Sequence, residues 1–296
     1  MRLHDIVDTS RRVAEASGRR EKIEHLATCI RHAPANRVET VVGYLSGEPP
    51  QGRLGIGPAM LRDANPDAAA GSPRLTIDEV HGVFEQIVEA RGPGATGQRV
   101  RLLRDLLRRA TAEEQSFLRR LVIGELRQGA LEGLMVDAVA RAAGIPARQV
   151  RRATMVSGEL GPVARIALTE GSTGLSRLAI RTFRPVKPML AQPADDIADA
   201  LDRLGEAALE YKMDGARVQV HKSGGDVAVF TRRLNDVSQS VPEIVEAARG
   251  LAVREIILDG EALAFRRDGQ PHPFQVTMRR FGRKTDVARL RETLPL

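Results

Sequence analysis

From residue 1 to about residue 180 the apolar positions recur at spacings of three and four with few β-branched runs, which predicts amphipathic helices almost throughout. Val7, Val13, Ile23, Leu26, Cys29 and Ile30 fall on a first helical pair, and 38–45 on the next helix, which Gly47-Glu48-Pro49-Pro50 stops. Thr76 caps a helix reaching about Ala90, with Val80, Val83, Phe84 and Ile87 inward. Gly92-Pro93-Gly94-Ala95-Thr96-Gly97 breaks that pattern, and another helix starts at Gln98. Thr111 and Glu114 form a capping box for a helix running to Leu126, and a further helix covers 132–143 before Gly144-Ile145-Pro146. Arg53-Leu54-Gly55-Ile56-Gly57 has no strand before it and no third glycine, so it predicts an interhelical turn rather than a nucleotide loop.

The stretch 171–188, first rich in Gly, Ser and Thr and then in Pro, predicts a linker, after which the period changes. A helix over 195–204 comes first. Within 209–221 apolar residues then alternate with polar ones on both sides of Asp214-Gly215, which predicts two strands joined by a tight turn. Glu210, Lys212 and Asp214 share one face for as long as the first strand lasts, and that face carries two acids flanking one amine. Strands follow at 227–231 and 255–259, with a helix between them over 241–249 that has Pro242 in its first turn; Asp268-Gly269 turns again. The chain therefore reads as two domains, an all-helical one over 1–180 and an α+β one with an antiparallel sheet over 181–296.

Composition sharpens this picture in a few places. A chain of 296 residues with 42% hydrophobic positions can bury two cores. No apolar run spans a bilayer and the first residues lack a signal-peptide core, so the expected address is cytoplasmic, without a membrane partner. Cys29 is the single cysteine; it excludes an internal disulfide framework and a Cys-cluster zinc site, and it sits on an apolar helical pattern as a core residue. A net charge of +7 favours a polyanionic partner; all but five of the 45 basic residues are Arg, the better phosphate fork, a ratio that a GC-rich genome accounts for in the main, though not the net sign. With no Trp and two Tyr, contact with a nucleic-acid backbone is expected rather than base stacking. Arg99, Arg101, Arg104, Arg108 and Arg109 surround Val100, Leu103, Leu106 and Leu107, so one helix has a basic outer face; a solvated surface and a phosphate-contacting one both fit that pattern.

The string Glu210-x-Lys212-x-Asp214-Gly215-x-Arg217 resembles the first signature motif of the covalent nucleotidyltransferases, which are DNA ligases, RNA ligases and mRNA-capping enzymes; a plain solvated hairpin face would show the same alternation. Three later pieces keep the ligase order: Phe230-Thr231-Arg232-Arg233, Leu258-Asp259-Gly260-Glu261 and Pro273-Phe274-Gln275. Pro188-Met189-Leu190-Ala191 resembles the phrase that opens the catalytic domain of ATP-dependent ligases. Gly124-Glu125-Leu126-Arg127-x-Gly129, with the Ala-rich helix after it, resembles the helical DNA-binding domain that precedes that core. The resemblance covers essentially the whole chain and is to ATP-dependent DNA ligases of archaeal and actinobacterial type.

That resemblance implies an all-helical DNA-binding domain followed by a nucleotidyltransferase (adenylation) domain that seals nicks through a lysyl-AMP intermediate, with ATP and Mg²⁺ as cofactors and nicked duplex DNA as partner. Lys212 is then the nucleophile on the α-phosphate, and its amine, ordinarily near pKa ~10.4, has to lose its proton, aided by partial burial and nearby cations. Glu210 reads the adenine amino group, Arg217 and Arg232 hold phosphates, and Glu261 supplies a hard oxygen for ribose or Mg²⁺. Arg101, Arg104, Arg108 and Arg127 are the DNA-contact candidates, with pairing of Arg127 to Glu125 or Glu132 as its alternative. The chain stops at Leu296, before the adenine-stacking strand, the second metal-binding Glu, the late lysines and the OB-fold domain of that family. The expectation is thus an incomplete adenylation domain, a monomer nearly inactive alone; the competing reading is a non-catalytic module that binds duplex or nicked DNA. A sliding-clamp partner is not legible in the sequence.

Overall fold

The computed structural model describes residues 1–126, 132–188, 193–281 and 286–296. Contacts divide the chain into two compact units, Met1–Leu178 and Ala179–Leu296.

The described residues of the first unit form helices α1 (Leu3–Glu15), α2 (Arg19–Arg31), α3 (Val38–Ser46), α4 (Pro58–Asp63), α5 (Ile77–Glu89), α6 (Ala95–Arg109), α7 (Ala112–Val122), α8 (Glu132–Ala143), α9 (Ala147–Ser157) and α10 (Leu160–Ser176). Their apolar faces share one core, in which Tyr44 of α3 meets Phe84 of α5 with ring centroids 5.8 Å apart. The predicted caps form: Thr76 and Thr111 each accept an N–H from the glutamate three residues on, and each glutamate accepts the cap residue's N–H in return. Cys29 is buried in this core, and burial pushes its thiol up to about 11.

Three boundaries differ from the sequence reading. α6 starts at Ala95 because Gly94, at φ 83°, caps it, so Gly97 lies inside the helix. α7 ends at Val122, where Gly124 takes φ 70° and turns the chain. α10 runs on to Ser176 through a kink at Gly171 (φ 64°, ψ −155°), so the glycine that was read as opening the linker bends a helix instead.

The second unit holds α11 (Ile197–Leu204), β1 (Ala216–Ser223), β2 (Asp226–Thr231), α12 (Pro242–Arg249), β3 (Glu255–Ala262), α13 (Phe274–Thr277) and α14 (Val287–Thr293). The strands form an antiparallel sheet in the order β2-β1-β3. Val218, Val220, Val229 and Ala262 on one face pack against Val241, just before α12, and Ala248 within it.

The hairpin expected around Asp214-Gly215 is absent. The turn that forms is Gly224-Gly225, which lets β1 fold directly onto β2 with Ser223 opposite Asp226. β2 and β3 take both edges of β1, so residues 209–214 do not pair with it, and their alternation does not translate into burial: Leu209 is 87% exposed and Tyr211 95%. Glu210, Lys212 and Asp214 therefore lie on an irregular segment rather than on one strand face.

Two buried cations that periodicity gives no reason to expect organise this unit. Lys222 continues the apolar face of β1, and its Nζ donates to the carbonyls of Arg249 (2.9 Å) and Leu251, closing the C-terminal end of α12. Arg280 is 1% exposed; it pairs with Glu243 in the first turn of α12 at 2.6 Å and donates to the carbonyls of Leu294 (2.6 Å) and Ser240 (3.3 Å).

Candidate functional site

The register brings Arg217, Arg232 and Glu261 to one end of the sheet. Arg217 on β1 lies opposite Glu261 on β3, and Arg232 follows Thr231, the β2 partner of Val218. Alternation puts Arg217, Gln219 and His221 on the same face as Asp259 and Glu261, opposite the face that packs on α12. Lys212 precedes this end of β1 in an exposed segment, and its Nζ donates to the carbonyl of Met213 at 2.9 Å. Glu210, Asp214 and Arg232 are exposed as well and have no hydrogen bond or ion pair among the described residues. The partial burial expected of Lys212 is thus not what the structure has.

Gly215 is where the lysine motif meets the sheet. Its N–H donates to Glu261 Oε1 at 3.1 Å, which ties the residues after Lys212 to the end of β3. A Cβ at this position would stand 2.4 Å from the Ala262 carbonyl oxygen and 2.7 Å from Leu263 Cδ2, so close approach of the backbone demands a glycine.

Arg217 differs from the sequence expectation of a fork open to phosphate. Its Nε and Nη2 donate to the two carboxylate oxygens of Asp259 at 2.9 and 2.6 Å. The hydrogen bond to Asp259 raises the Arg217 pKa, partly opposed by burial. Nη1 makes no hydrogen bond among the described residues.

Further along the same face His221 is fully buried. Its Nδ1 accepts the N–H of Phe183 at 3.0 Å, so that nitrogen carries no proton, and burial holds the imidazole below its usual pKa of 6.5. The Gln219 amide accepts the N–H of Val186 at 2.9 Å and donates to the Val186 carbonyl. The sequence signal for both was polar residues at alternate positions of a strand that also had a full apolar face.

In the helical unit, Arg101, Arg104 and Arg108 are all exposed on α6. Arg104 donates to the Asp63 carbonyl at the end of α4, whereas Arg101 and Arg108 have no partner among the described residues. Two other cations of the same stretch are structural: Arg99 donates to the carbonyls of Ile87 (3.1 Å) and Ala90 (2.7 Å) at the end of α5, and Arg109 pairs with Glu79. Arg127 lies outside the described residues. A cleft of about 870 Å³ opens between the turn 47–58, the end of α7 and the start of α10; it includes no residue of the lysine motif. No helix among the described residues is long and apolar enough to cross a membrane.

A helical unit is thus followed by a sheet unit in which Lys-x-Asp-Gly enters against a Glu-bearing strand. Residues 188–296 match the family described as ATP dependent DNA ligase domain, and residues 64–140 match DNA ligase N terminus. The chain thus carries two regions of the ATP-dependent DNA ligase family, which uses ATP and a divalent metal ion, usually Mg²⁺. It is 56% identical over 298 residues to a probable DNA ligase of Anaeromyxobacter sp. (strain Fw109-5) and 52% identical over 299 residues to one of Sorangium cellulosum, in both cases along 100% of this chain. It is 50% identical, over 96% of its length, to one of Mycolicibacterium gilvum. The chain spans 55–57% of the length of these relatives. A solved chain titled Pmar-Lig_PreS3 aligns with 95% of this chain and 53% of its own, at 15% identity and a TM-score of 0.49.

Proposed function

We propose that this chain supplies the nucleophile and one wall of the adenylation site of an ATP-dependent DNA ligase, together with a helical unit that holds nicked duplex DNA. The observation that carries the reading is the bond from the Gly215 N–H to Glu261, which joins the lysine motif to the acidic strand at the sheet end where Arg217 and Arg232 also stand. The side chains fit the groups they would hold. Lys212 offers an exposed amine, Arg217 Nη1 and Arg232 offer donors to phosphate, Glu261 and Asp214 offer oxygen ligands for Mg²⁺, and Glu210 offers an acceptor for the N–H of the adenine amino group. Bound Mg²⁺ supplies charge neutralisation on the triphosphate.

In this reading the Lys212 amine, once deprotonated, forms a P–N bond to the α-phosphorus of ATP as the bond to pyrophosphate breaks. AMP then moves to a 5′-phosphate at a nick, and the adjacent 3′-hydroxyl displaces it. Because phosphoryl transfer rests on positioning and electrostatic stabilisation, an exposed Lys212 and a single wall give a slow first step. The test is incubation with Mg²⁺ and α-labelled ATP, followed by mass mapping of the adduct. A small but measurable adduct on Lys212, lost in Lys212→Ala, is expected; an adduct that survives Lys212→Ala overturns the choice of nucleophile.

A second reading, a non-catalytic binder of duplex or nicked DNA, is favoured by the two unpartnered cations of α6. Salt-dependent binding of nicked duplex with no adduct under any condition would select it. Both readings describe a monomeric chain acting in the cytoplasm, associated with the nucleoid while on DNA.

A further inference from the structure

The two side chains that follow Arg217 on its face of β1, Gln219 and His221, bind no part of the lysine motif. They bind the backbone of the segment that leads into the second unit. His221 Nδ1 takes the Phe183 N–H at 3.0 Å, and the Gln219 amide engages both the N–H and the carbonyl of Val186, as a neighbouring strand would. The His221 ring is itself fixed, edge-on to Phe230 with centroids 5.0 Å apart and with Nε2 3.4 Å from Gln219 Oε1.

The direction of the segment follows from these contacts. Phe183 lies over His221 and Val186 over Gln219, so the segment runs opposite to β1, toward the end that carries Arg217 and Glu261. Gln219 is also the cross-strand partner of Asp259, the residue that holds Arg217. Directly opposite cross-strand residues stand about 5 Å apart, so the strand position that anchors Val186 is next to the one that carries Asp259.

We propose that Gln219 and His221 are positioning residues of the nucleotide site. They fasten 183–186 flat along the sheet face, and the fastened segment forms a side wall beside Arg217 and Glu261. The inference rests on the nucleotide reading given above. Without the two anchors the segment is held less firmly on the sheet face and the wall beside Arg217 and Glu261 is lost.

The test uses the 296-residue chain, with amide hydrogen exchange over 183–187 and equilibrium binding of Mg²⁺–ATP as paired readouts. Gln219→Leu and His221→Phe each remove a backbone partner but keep bulk. Both are expected to speed exchange over 183–187, His221→Phe by about tenfold, the effect of losing one hydrogen bond, and Gln219→Leu by more because it loses two, and each to weaken ATP by about fivefold or more. His221→Asn, which presents an acceptor near the position of Nδ1, should restore both readouts. A merely structural role would lower the thermal midpoint of the second unit without this paired pattern. Unchanged exchange, or fast exchange with unchanged ATP affinity, overturns the proposal alone. A wild-type chain that binds no ATP overturns the nucleotide reading and this proposal together.

Discussion

Asp259 grips Arg217 through both carboxylate oxygens, at 2.9 and 2.6 Å, on the face of the sheet that carries the candidate site. Both partners are about two-fifths exposed, so the pair sets direction more than it adds stability. Asp259→Asn should shift the unfolding free energy by less than about 1 kcal/mol. It should nevertheless lower the rate of adduct formation on Lys212, because the guanidinium is no longer held in one plane. Denaturant titration and labelled-ATP kinetics on the same sample separate the two effects.

Gly215→Ala forces a methyl to within 2.4 Å of the Ala262 carbonyl oxygen. The second unit should lose about 2 kcal/mol, in the range of other overpacked sites, and the Gly215 to Glu261 bond should stretch. Calorimetry should show a shifted transition for this unit while the helical unit melts unchanged.

The buried Arg280–Glu243 pair is the point at which the second unit is most sensitive to single replacements. Glu243→Gln or Arg280→Ala leaves one buried partner without its counter-charge and should cost about 3–5 kcal/mol. Burial pushes the Glu243 carboxyl up, but the hydrogen bond and charge of Arg280 together with backbone N–H groups, that of Leu296 among them, outweigh it and the pKa is lowered from 4.5. A carboxyl lowered on folding stabilises above its unfolded value and loses that contribution as pH falls through the folded one. Stability of this unit should therefore decline below about pH 4.5 in the wild type and show a flatter profile in Glu243→Gln.

His221 produces a separate acid limb at higher pH. Its folded pKa lies below 6.5, so as pH falls past 6.5 the unfolded chain takes up the proton first. Stability present above 6.5 should be lost progressively beneath it. In His221→Asn this limb should vanish; a wild-type profile flat between pH 5 and 7 would show that the imidazole does not titrate on unfolding.

The basic helix should divide under mutation. Arg101→Gln and Arg108→Gln remove cations without partners, and each should reduce the salt slope of duplex binding by about one unit with stability unchanged. Arg99→Gln removes the donor that closes α5 and should destabilise the helical unit instead. Filter binding at two salt concentrations, with melting curves, distinguishes them.

The helices were legible because their apolar periods are long and their caps are local: Thr76 with Glu79, and Thr111 with Glu114, act within one turn of chain. β1 to β3 and α12 were legible for the same reason. The segment 209–214 was misread because a hairpin with β1 needs a free edge of β1, and both are filled, one by β2 across the Gly224-Gly225 turn and the other by the distant β3. Arg217, Arg232 and Glu261 were singled out through motif order and stand at one end of the sheet, but the engagement of Arg217 by Asp259 depends on the β1–β3 register, which no local pattern encodes. Lys222 and Arg280 escaped because a buried cation announces itself only through the carbonyls and the carboxylate that surround it, at separations of 27 and 37 residues.

Cys29 has a practical use. Its thiol is buried and pushed up to about 11, so at neutral pH it carries almost no thiolate and is shielded from alkylating reagents. Toward maleimides the chain behaves as though it had no cysteine. A cysteine introduced at exposed Arg62 and another at exposed Arg233 would take label cleanly, one in each compact unit. Energy transfer between the two dyes then becomes a ruler for how the units move when DNA and nucleotide are added.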